Sequence, residues 1–262
     1  MNGRIKGGDK LKVLLVTVAG TSSRFSESVG YPCLKCLYHE GNIEESLLYR
    51  MLHMRNDFDC YVIVGGFRFE ELEAALAAHF QDLGKRMILV KNEHYADYGS
   101  GYSLYVGLEK IRQMDTTEVV FAEGDLFVDE DSFGKVCDCR NNVITCSKEP
   151  VLAEKSVALY FDTNHGIHYI YDTAHGVLEI REPFLGIFNS GQIWKFADMS
   201  RLWDAFDAID EKGWQETNLV LIRQYFGELN RGAYEAVTFE EWVNCNTVMD
   251  YRSRKTGAEG RM

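Results

Sequence analysis

Apolar positions along the first half of the chain alternate between two periods. Leu11 to Val18 is a nearly unbroken apolar run, the pattern of a strand covered on both faces of a sheet. Ile43 to Met54 carries Leu47, Leu48, Met51 and Leu52 at helical spacing. The stretch "CYVIVGG" predicts a second strand closed by Gly65-Gly66, and "EELEAALAAHF" behind it is rich in strong helix formers. A third strand follows in "MILVKN", a third helix in "SLYVGLEKIRQM" and a fourth strand in "EVVFAEGD". This order implies a parallel sheet with right-handed crossovers.

The second half is less regular. "SVALYFD" and "IHYIYD" predict paired strands joined through the turn-forming residues Thr163 to Gly166. "GVLEIREPFLGIFNSGQIWKF" continues a strand-rich region, and two amphipathic helices are expected around Met199 to Ile209 and Glu216 to Phe226. No internal repeat or linker interrupts the pattern. The expected fold class is α/β: a three-layer α/β/α sandwich with a mostly parallel, Rossmann-like sheet and a small strand-rich insertion. The polar start "MNGRIKGGDK" is expected to be a disordered tail over residues 1–10, ahead of a single domain over 11–262.

Composition narrows the partners. The 262 residues suit one large α/β domain. No run of about 18 apolar residues occurs, so neither a membrane span nor a membrane partner is expected. The net charge of -12 argues against nucleic acid as a partner. A small polyphosphate needs only a local cluster of donors, usually with a divalent cation. The seven cysteines are odd in number and lie in or beside apolar stretches, as expected of free thiols in a reducing cytoplasm.

Three segments carry candidate chemistry at the carboxyl ends of predicted strands, where ligands bind in open α/β sheets. The first is "VAGTSSRFSESVGYPCLK". Its small residues Ala19, Gly20, Thr21, Ser22 and Ser23 leave backbone N–H groups open to a phosphate, with Arg24 as a fork-shaped clamp and Lys35 as a mobile charge. A plain strand-to-helix turn with solvated cations accounts for the same residues. The second segment is Gly99 to Leu104, with Gly101 and Ser103. The third is "FAEGDLFVD", in which Asp125 stands just past a strand, placed either to hold Mg²⁺ or to serve as a turn residue or cap. Farther on, "WVNCNTVMDY" offers Asn244 as an oxygen ligand, while Asn246-Thr247 reads equally well as a helix cap. Cys33/Cys36 and Cys137/Cys139 lack partners at zinc spacing. The rings of Tyr169, Tyr171, Phe184, Phe188 and Trp194 fit a core or a wall for an organic cation, and His165, His168 and His175 fit a hairpin surface.

Taken in order, these pieces resemble the nucleotidyltransferases of the nucleotide-sugar pyrophosphorylase superfamily, in particular the phosphocholine cytidylyltransferase (LicC-like) branch. "VAGTSSRF" resembles the A-G-x-G-x-R loop, Lys35 the lysine of P-K-x-L, and "EGDLFVD" the G-D metal motif. "KNEHYADYGSGYSL" is similar to the segment beside the nucleotide, "FNSGQIWKF" to the acceptor-lining N-x-G element, and "WVNCNTVMDY" to the closing W-x-[DN]-x-x-T motif. The resemblance spans residues 13 to about 250. Three positions depart from it. Ser22 replaces the loop's second glycine, Pro32 is displaced from Lys35, and Arg181-Glu182-Pro183 stands where hexose-phosphate enzymes carry E-K-P.

The resemblance implies a Mg²⁺-dependent transfer of a nucleotidyl group from CTP, or another NTP, to a small phosphate or phosphonate acceptor. Residues 11–130 would then form a nucleotide-binding half and 131–262 an acceptor-binding half. It casts Arg24, Lys35 and Asp125 as catalytic, and Ala19 to Ser23, Gly101 and Ser103 as nucleotide-binding. Asp125 and Asn244 would hold the metal, and Arg181, Glu182, Asn189 and Trp194 the acceptor.

Overall fold

A computed structural model describes residues 10–153, 156–170, 177–227 and 229–259. Residues 1–9 of the tail expected over residues 1–10, and the residues Tyr171 and His175, lie outside them. The first half runs β1 (Leu11–Thr17), α1 (Ser23–Val29), α2 (Leu47–His53), β2 (Cys60–Gly65), α3 (Phe69–His79), β3 (Met87–Lys91), α4 (Ser100–Ile111) and β4 (Thr116–Glu123). It continues through β5 (Leu126–Val128), α5 (Glu130–Asp138), β6 (Asn142–Ser147), β7 (Ala158–Asp162), β8 (Ile167–Ile170) and β9 (Phe184–Phe196). The chain then forms α6 (Met199–Asp207), α7 (Glu211–Gln215), α8 (Leu219–Phe226), β10 (Tyr234–Phe239), β11 (Trp242–Asn244) and α9 (Val248–Glu259).

The main sheet has the order β10-β6-β9-β4-β1-β2-β3, with β7 and β8 extending from β9. Strand β1 lies parallel to β2 and β4, and β2 to β3, as the alternating pattern predicts. The long β9 runs antiparallel to β4 and β6, so one reversed strand joins the first-half strands to the parallel pair β6 and β10.

The unbroken apolar run of β1 follows from burial on both faces. Val13 and Leu15 pack with Leu104, Leu108 and Ile111 of α4 and with Phe206 and Ile222 of α6 and α8. Leu14 and Val16 pack on the opposite side with Met51 of α2, Leu72 and Leu76 of α3, and Phe133 of α5. Helices therefore cover both sides of the sheet, which is the three-layer arrangement expected.

The helix expected over Ile43 to Met54 is split. Ile43–Glu45 forms a single 3₁₀ turn, and the Ser46 hydroxyl then accepts the Tyr49 N–H (3.3 Å), starting α2 one residue later. A buried serine in extended conformation competes with the helix and becomes its cap. At the other end of the chain the cap reading of Thr247 holds. Its hydroxyl accepts the Asp250 N–H (3.2 Å) while the Asp250 carboxylate accepts the Thr247 N–H (2.7 Å), a reciprocal box at the head of α9.

Candidate active site

A cavity of about 370 Å³ opens at the carboxyl ends of β1, β3 and β4. Its walls are Thr17 to Ser22, Lys35 and Cys36, the segment from Asn92 to Ser103, and Glu123-Gly124-Asp125. The three segments picked out in the sequence thus converge on one space. Two further ties bring them there: the Gly124 N–H donates to Thr17 O (2.9 Å) and the Phe67 N–H to Ala19 O (3.1 Å). Gly124 has to be glycine, since a Cβ would sit 2.2 Å from Val18 Cγ1.

The loop from Ala19 to Ser23, expected to receive a phosphate, differs from expectation in one respect. Gly20 has an ordinary φ and open space where a Cβ would stand, so the loop does not need its freedom. The left-handed residue is Ser22, at φ 53°, the position where the resembled loop carries glycine. Its hydroxyl accepts the Lys35 N–H (3.4 Å), tying the loop to the 3₁₀ turn Lys35–Leu37. Among the described residues no hydrogen bond occupies the N–H groups of Gly20, Thr21 or Ser22. A left-handed non-glycine residue costs about 1–2 kcal/mol, while glycine's extra chain entropy returns about half of that. Ser22→Gly is therefore expected to raise Tm by roughly 1–4 °C in thermal unfolding. A fall in Tm would show that the hydroxyl's hold on Lys35 outweighs the strain.

Lys35 Nζ meets Asp125 Oδ2 at 2.5 Å, both side chains about four-fifths buried (20% and 18% exposed). Asp125 Oδ1 is buried with no hydrogen-bond partner among the described residues. Such an acceptor is costly unless something else approaches it. Glu123, two residues earlier, accepts from Asn218 Nδ2 (2.7 Å). Burial, followed by the charge of Asp125, raises its carboxyl well above the usual range. Asn218 at the head of α8 and the carboxylate of Glu123 carried no signal in the sequence beyond their neighbourhood.

Strand β11 pairs with β5 and sets Asn244 opposite Leu126, while the Cys245 N–H donates to Asp125 O (2.9 Å). Asn244 Oδ1 already accepts from Asn246 Nδ2 (2.9 Å), which leaves it one lone pair. No group of three or more His, Cys, Asp or Glu side chains able to hold a metal occurs among the described residues. The unpartnered Asp125 Oδ1 and the remaining lone pair of Asn244 Oδ1 are oxygen donors of the kind that would fit Mg²⁺, an ion that keeps several waters. Arg24 has no carboxylate partner among the described residues, and its Nη2 donates to Asn246 Oδ1 (2.9 Å).

Several expected residues stand elsewhere. Gly101 does not offer its backbone to a ligand: its N–H donates to Glu216 O (2.9 Å), and a Cβ would sit 2.8 Å from the same oxygen. It is glycine so that the chain after α7 can cross α4. Ser103 does line the cavity, its hydroxyl accepting from Asn92 Nδ2 (2.9 Å), whereas Ser23 begins α1 outside the lining. Trp194 is fully buried, stacked on Phe121 with its Nε1 donating to Tyr169 OH (2.7 Å), so both rings belong to the core. Asn189 is buried and donates to Ser147 Oγ (3.0 Å). Arg181 is exposed and paired with Glu179 (2.9 Å). Glu182 accepts from Tyr160 OH (2.6 Å) beside the stacked Tyr160/His168 rings and the exposed Phe184.

Residues 31–257 match the family described as Domain of unknown function (DUF6564). The chain belongs to this family. A sequence search of curated proteins finds no match. Solved structures share its fold over nearly their whole length. LicC, the CTP:phosphocholine cytidylyltransferase of Streptococcus pneumoniae, aligns with a TM-score of 0.64 at 14% identity, covering 95% of this chain and 99% of its own. The inositol-1-phosphate CTP transferase of T. maritima gives 0.65 at 17%, covering 95% of each chain. A protein of Bacillus anthracis described as a glucose-1-phosphate thymidylyltransferase gives 0.67 at 13%, covering 94% of this chain and 95% of its own. The DUF6564 chain therefore has the nucleotidyltransferase fold. Among its described residues no helix is long and apolar enough to cross a membrane, and all seven cysteines are free of disulfides.

Proposed function

We propose that the chain is a nucleotidyltransferase that transfers CMP from CTP to a small phosphate or phosphonate acceptor and releases pyrophosphate. The observation that carries this reading is the meeting of Lys35 and Asp125 at the wall of a cavity whose loop presents uncommitted backbone N–H groups. An acceptor oxygen would form a bond to the α-phosphorus as the bond to the pyrophosphate oxygen breaks. Such transfer needs little covalent help from protein, so positioning and charge neutralisation carry most of the acceleration.

In this reading the N–H groups of Gly20 to Ser22 cradle the triphosphate, and Arg24, with its charge uncompensated, grips the departing end. Lys35 exchanges Asp125 for a phosphate oxygen, which frees the carboxylate. Asp125 and Asn244 would hold Mg²⁺, which supplies positive charge to the triphosphate when bound. Ser103, fixed by Asn92, stands toward the nucleoside. The carboxylate of Glu182 with the rings of Tyr160 and Phe184 gives an acidic, aromatic surface suited to a small cationic head group, as in phosphocholine or aminoethylphosphonate. The folds of LicC and of the inositol-1-phosphate CTP transferase support the choice of CTP.

Pyrophosphate release measured with four NTPs against phosphocholine, aminoethylphosphonate and glucose 1-phosphate tests the reading. CTP with a cationic acceptor is expected to exceed glucose 1-phosphate by at least about tenfold in kcat/KM, about 1.4 kcal/mol. Faster turnover of the sugar phosphate would make the chain a sugar-1-phosphate nucleotidyltransferase. Nucleotide binding without pyrophosphate release from any pair would make it a binding protein.

A further inference from the structure

Strand β9 contains a built irregularity just before Ile193, which faces Ala122 of β4, the residue preceding the cavity-lining Glu123. Ile144 of β6 faces Trp194 and Cys146 faces Ser190, so two steps along β6 span four along β9 and two residues are extra. The surplus falls at Gly191-Gln192. Gln192 takes a left-handed backbone, φ 55°, although it is a long side chain only 6% exposed. Thr145 stitches the gap, its hydroxyl donating to Ile193 O (2.6 Å) and accepting the Ile193 N–H (3.1 Å). Gly191 has to be glycine because a Cβ would stand 2.5 Å from that hydroxyl, and Gly191 O accepts from Trp242 Nε1 (2.9 Å). Strain of this kind persists only where the surroundings over-determine it, and bulges re-aim side chains next to functional sites.

The side chain so aimed starts a directed relay. Gln192 Oε1 accepts from Asn244 Nδ2 (3.0 Å), Asn244 Oδ1 from Asn246 Nδ2 (2.9 Å), and Asn246 Oδ1 from Arg24 Nη2 (2.9 Å). Each amide donates in one direction and accepts from the other: Arg24, which can only donate, sets which end of each amide is oxygen, and Gln192 anchors the chain by accepting its last N–H. The relay consists of neutral groups only. It orients the guanidinium without neutralising it, unlike the carboxylate that Lys35 meets.

We propose that Gln192 is a positioning residue for Arg24, acting through Asn244 and Asn246 to hold the guanidinium toward a triphosphate. The proposal rests on the phosphate-binding role given to Arg24 above. It also joins β9 to the loop after β1, two segments 168 residues apart in sequence at Gln192 and Arg24 (192 minus 24).

The test is calorimetric titration of the full chain with inorganic tripolyphosphate and with CTP in Mg²⁺-free buffer, so that the metal role given to Asn244 does not enter, alongside thermal unfolding. Gln192→Met keeps the volume and the strained backbone but removes the acceptor, and Asn246→Ala breaks the relay at a second point should the first variant not fold. Arg24→Ala is expected to weaken tripolyphosphate by about 30-fold, and either relay break by about five-fold, in line with loss and misorientation of a charge-assisted contact. The Arg24→Ala/Gln192→Met double variant should be no weaker than Arg24→Ala alone, because the relay acts only through the arginine. Wild-type affinity in both relay breaks, or additive losses in the double variant, overturns the relay while Arg24→Ala still reports on phosphate binding. Wild-type affinity in Arg24→Ala removes the reading of that residue and the proposal with it.

Discussion

Asp125→Ala is expected to lower kcat/KM for pyrophosphate release by at least about a thousandfold, near 4 kcal/mol, with little change in Tm. Both halves follow from the same geometry. One carboxylate oxygen is buried without a partner among the described residues and the other meets a cation that borders an open cavity. Removing the side chain deletes an unsatisfied acceptor, which favours the fold. It also releases Lys35 into a space where water can solvate it. In turnover the same change removes the anionic oxygen that fits Mg²⁺. The assay is pyrophosphate release across a Mg²⁺ series, with unfolding followed in parallel. Near-parental rates at limiting Mg²⁺ would exclude Asp125 as the ligand. A large loss of Tm would show that its pair with Lys35 serves the fold instead.

What could be read from the sequence divides along a physical line. Strands β1, β2 and β4 were legible because burial on both faces leaves an unbroken apolar run such as Val13 to Val16. The loop from Ala19 to Ser22, Lys35 and Asp125 were legible because small or charged residues at strand ends have few packing uses. Strand β5, three residues long, carries no period to detect. Nor does α7, at five residues.

The misread residues share another cause. Gly101 is a glycine for the sake of the Glu216 carbonyl, a tertiary neighbour 115 residues away (216 minus 101). Trp194 belongs to an aromatic set on a strand, where alternate residues face opposite sides and sequence does not say which side is open. Gln192 was silent because a bulge is a relation between two strands, and only the register against β6 exposes it. Residues marked by local chemistry could be picked out as one candidate site, and they do border one cavity. Those whose role is set by what crosses them could not be picked out.

Lys195→Ala is expected to be the most destabilising of these substitutions, at about 3–5 kcal/mol, the usual cost of breaking a buried ion pair from one side. Its side chain is 1% exposed and its Nζ lies 2.9 Å from Glu118 Oε2. The same ammonium donates to Cys137 O (3.0 Å) and Cys139 O (2.5 Å), carbonyls at the C-terminal end of α5. A cation there satisfies orphaned acceptors and complements the helix dipole. Loss of the lysine strands the Cys139 carbonyl and leaves the Cys137 carbonyl (3.3 Å) and Glu118 (3.5 Å) to share Lys12 Nζ. For a chain of this size the drop in Tm should be roughly 6–15 °C. Adding Glu118→Gln should recover part of it, since the double variant no longer buries an uncompensated carboxylate. Glu118 lies near the start of β4 and Asp125 beyond its end, so tripolyphosphate affinity measured below the unfolding transition should match the parent. A Tm within about 2 °C of the parent would show that water replaces the ammonium at the end of α5. A loss of phosphate affinity in the folded variant would show that β9 transmits the change to the cavity.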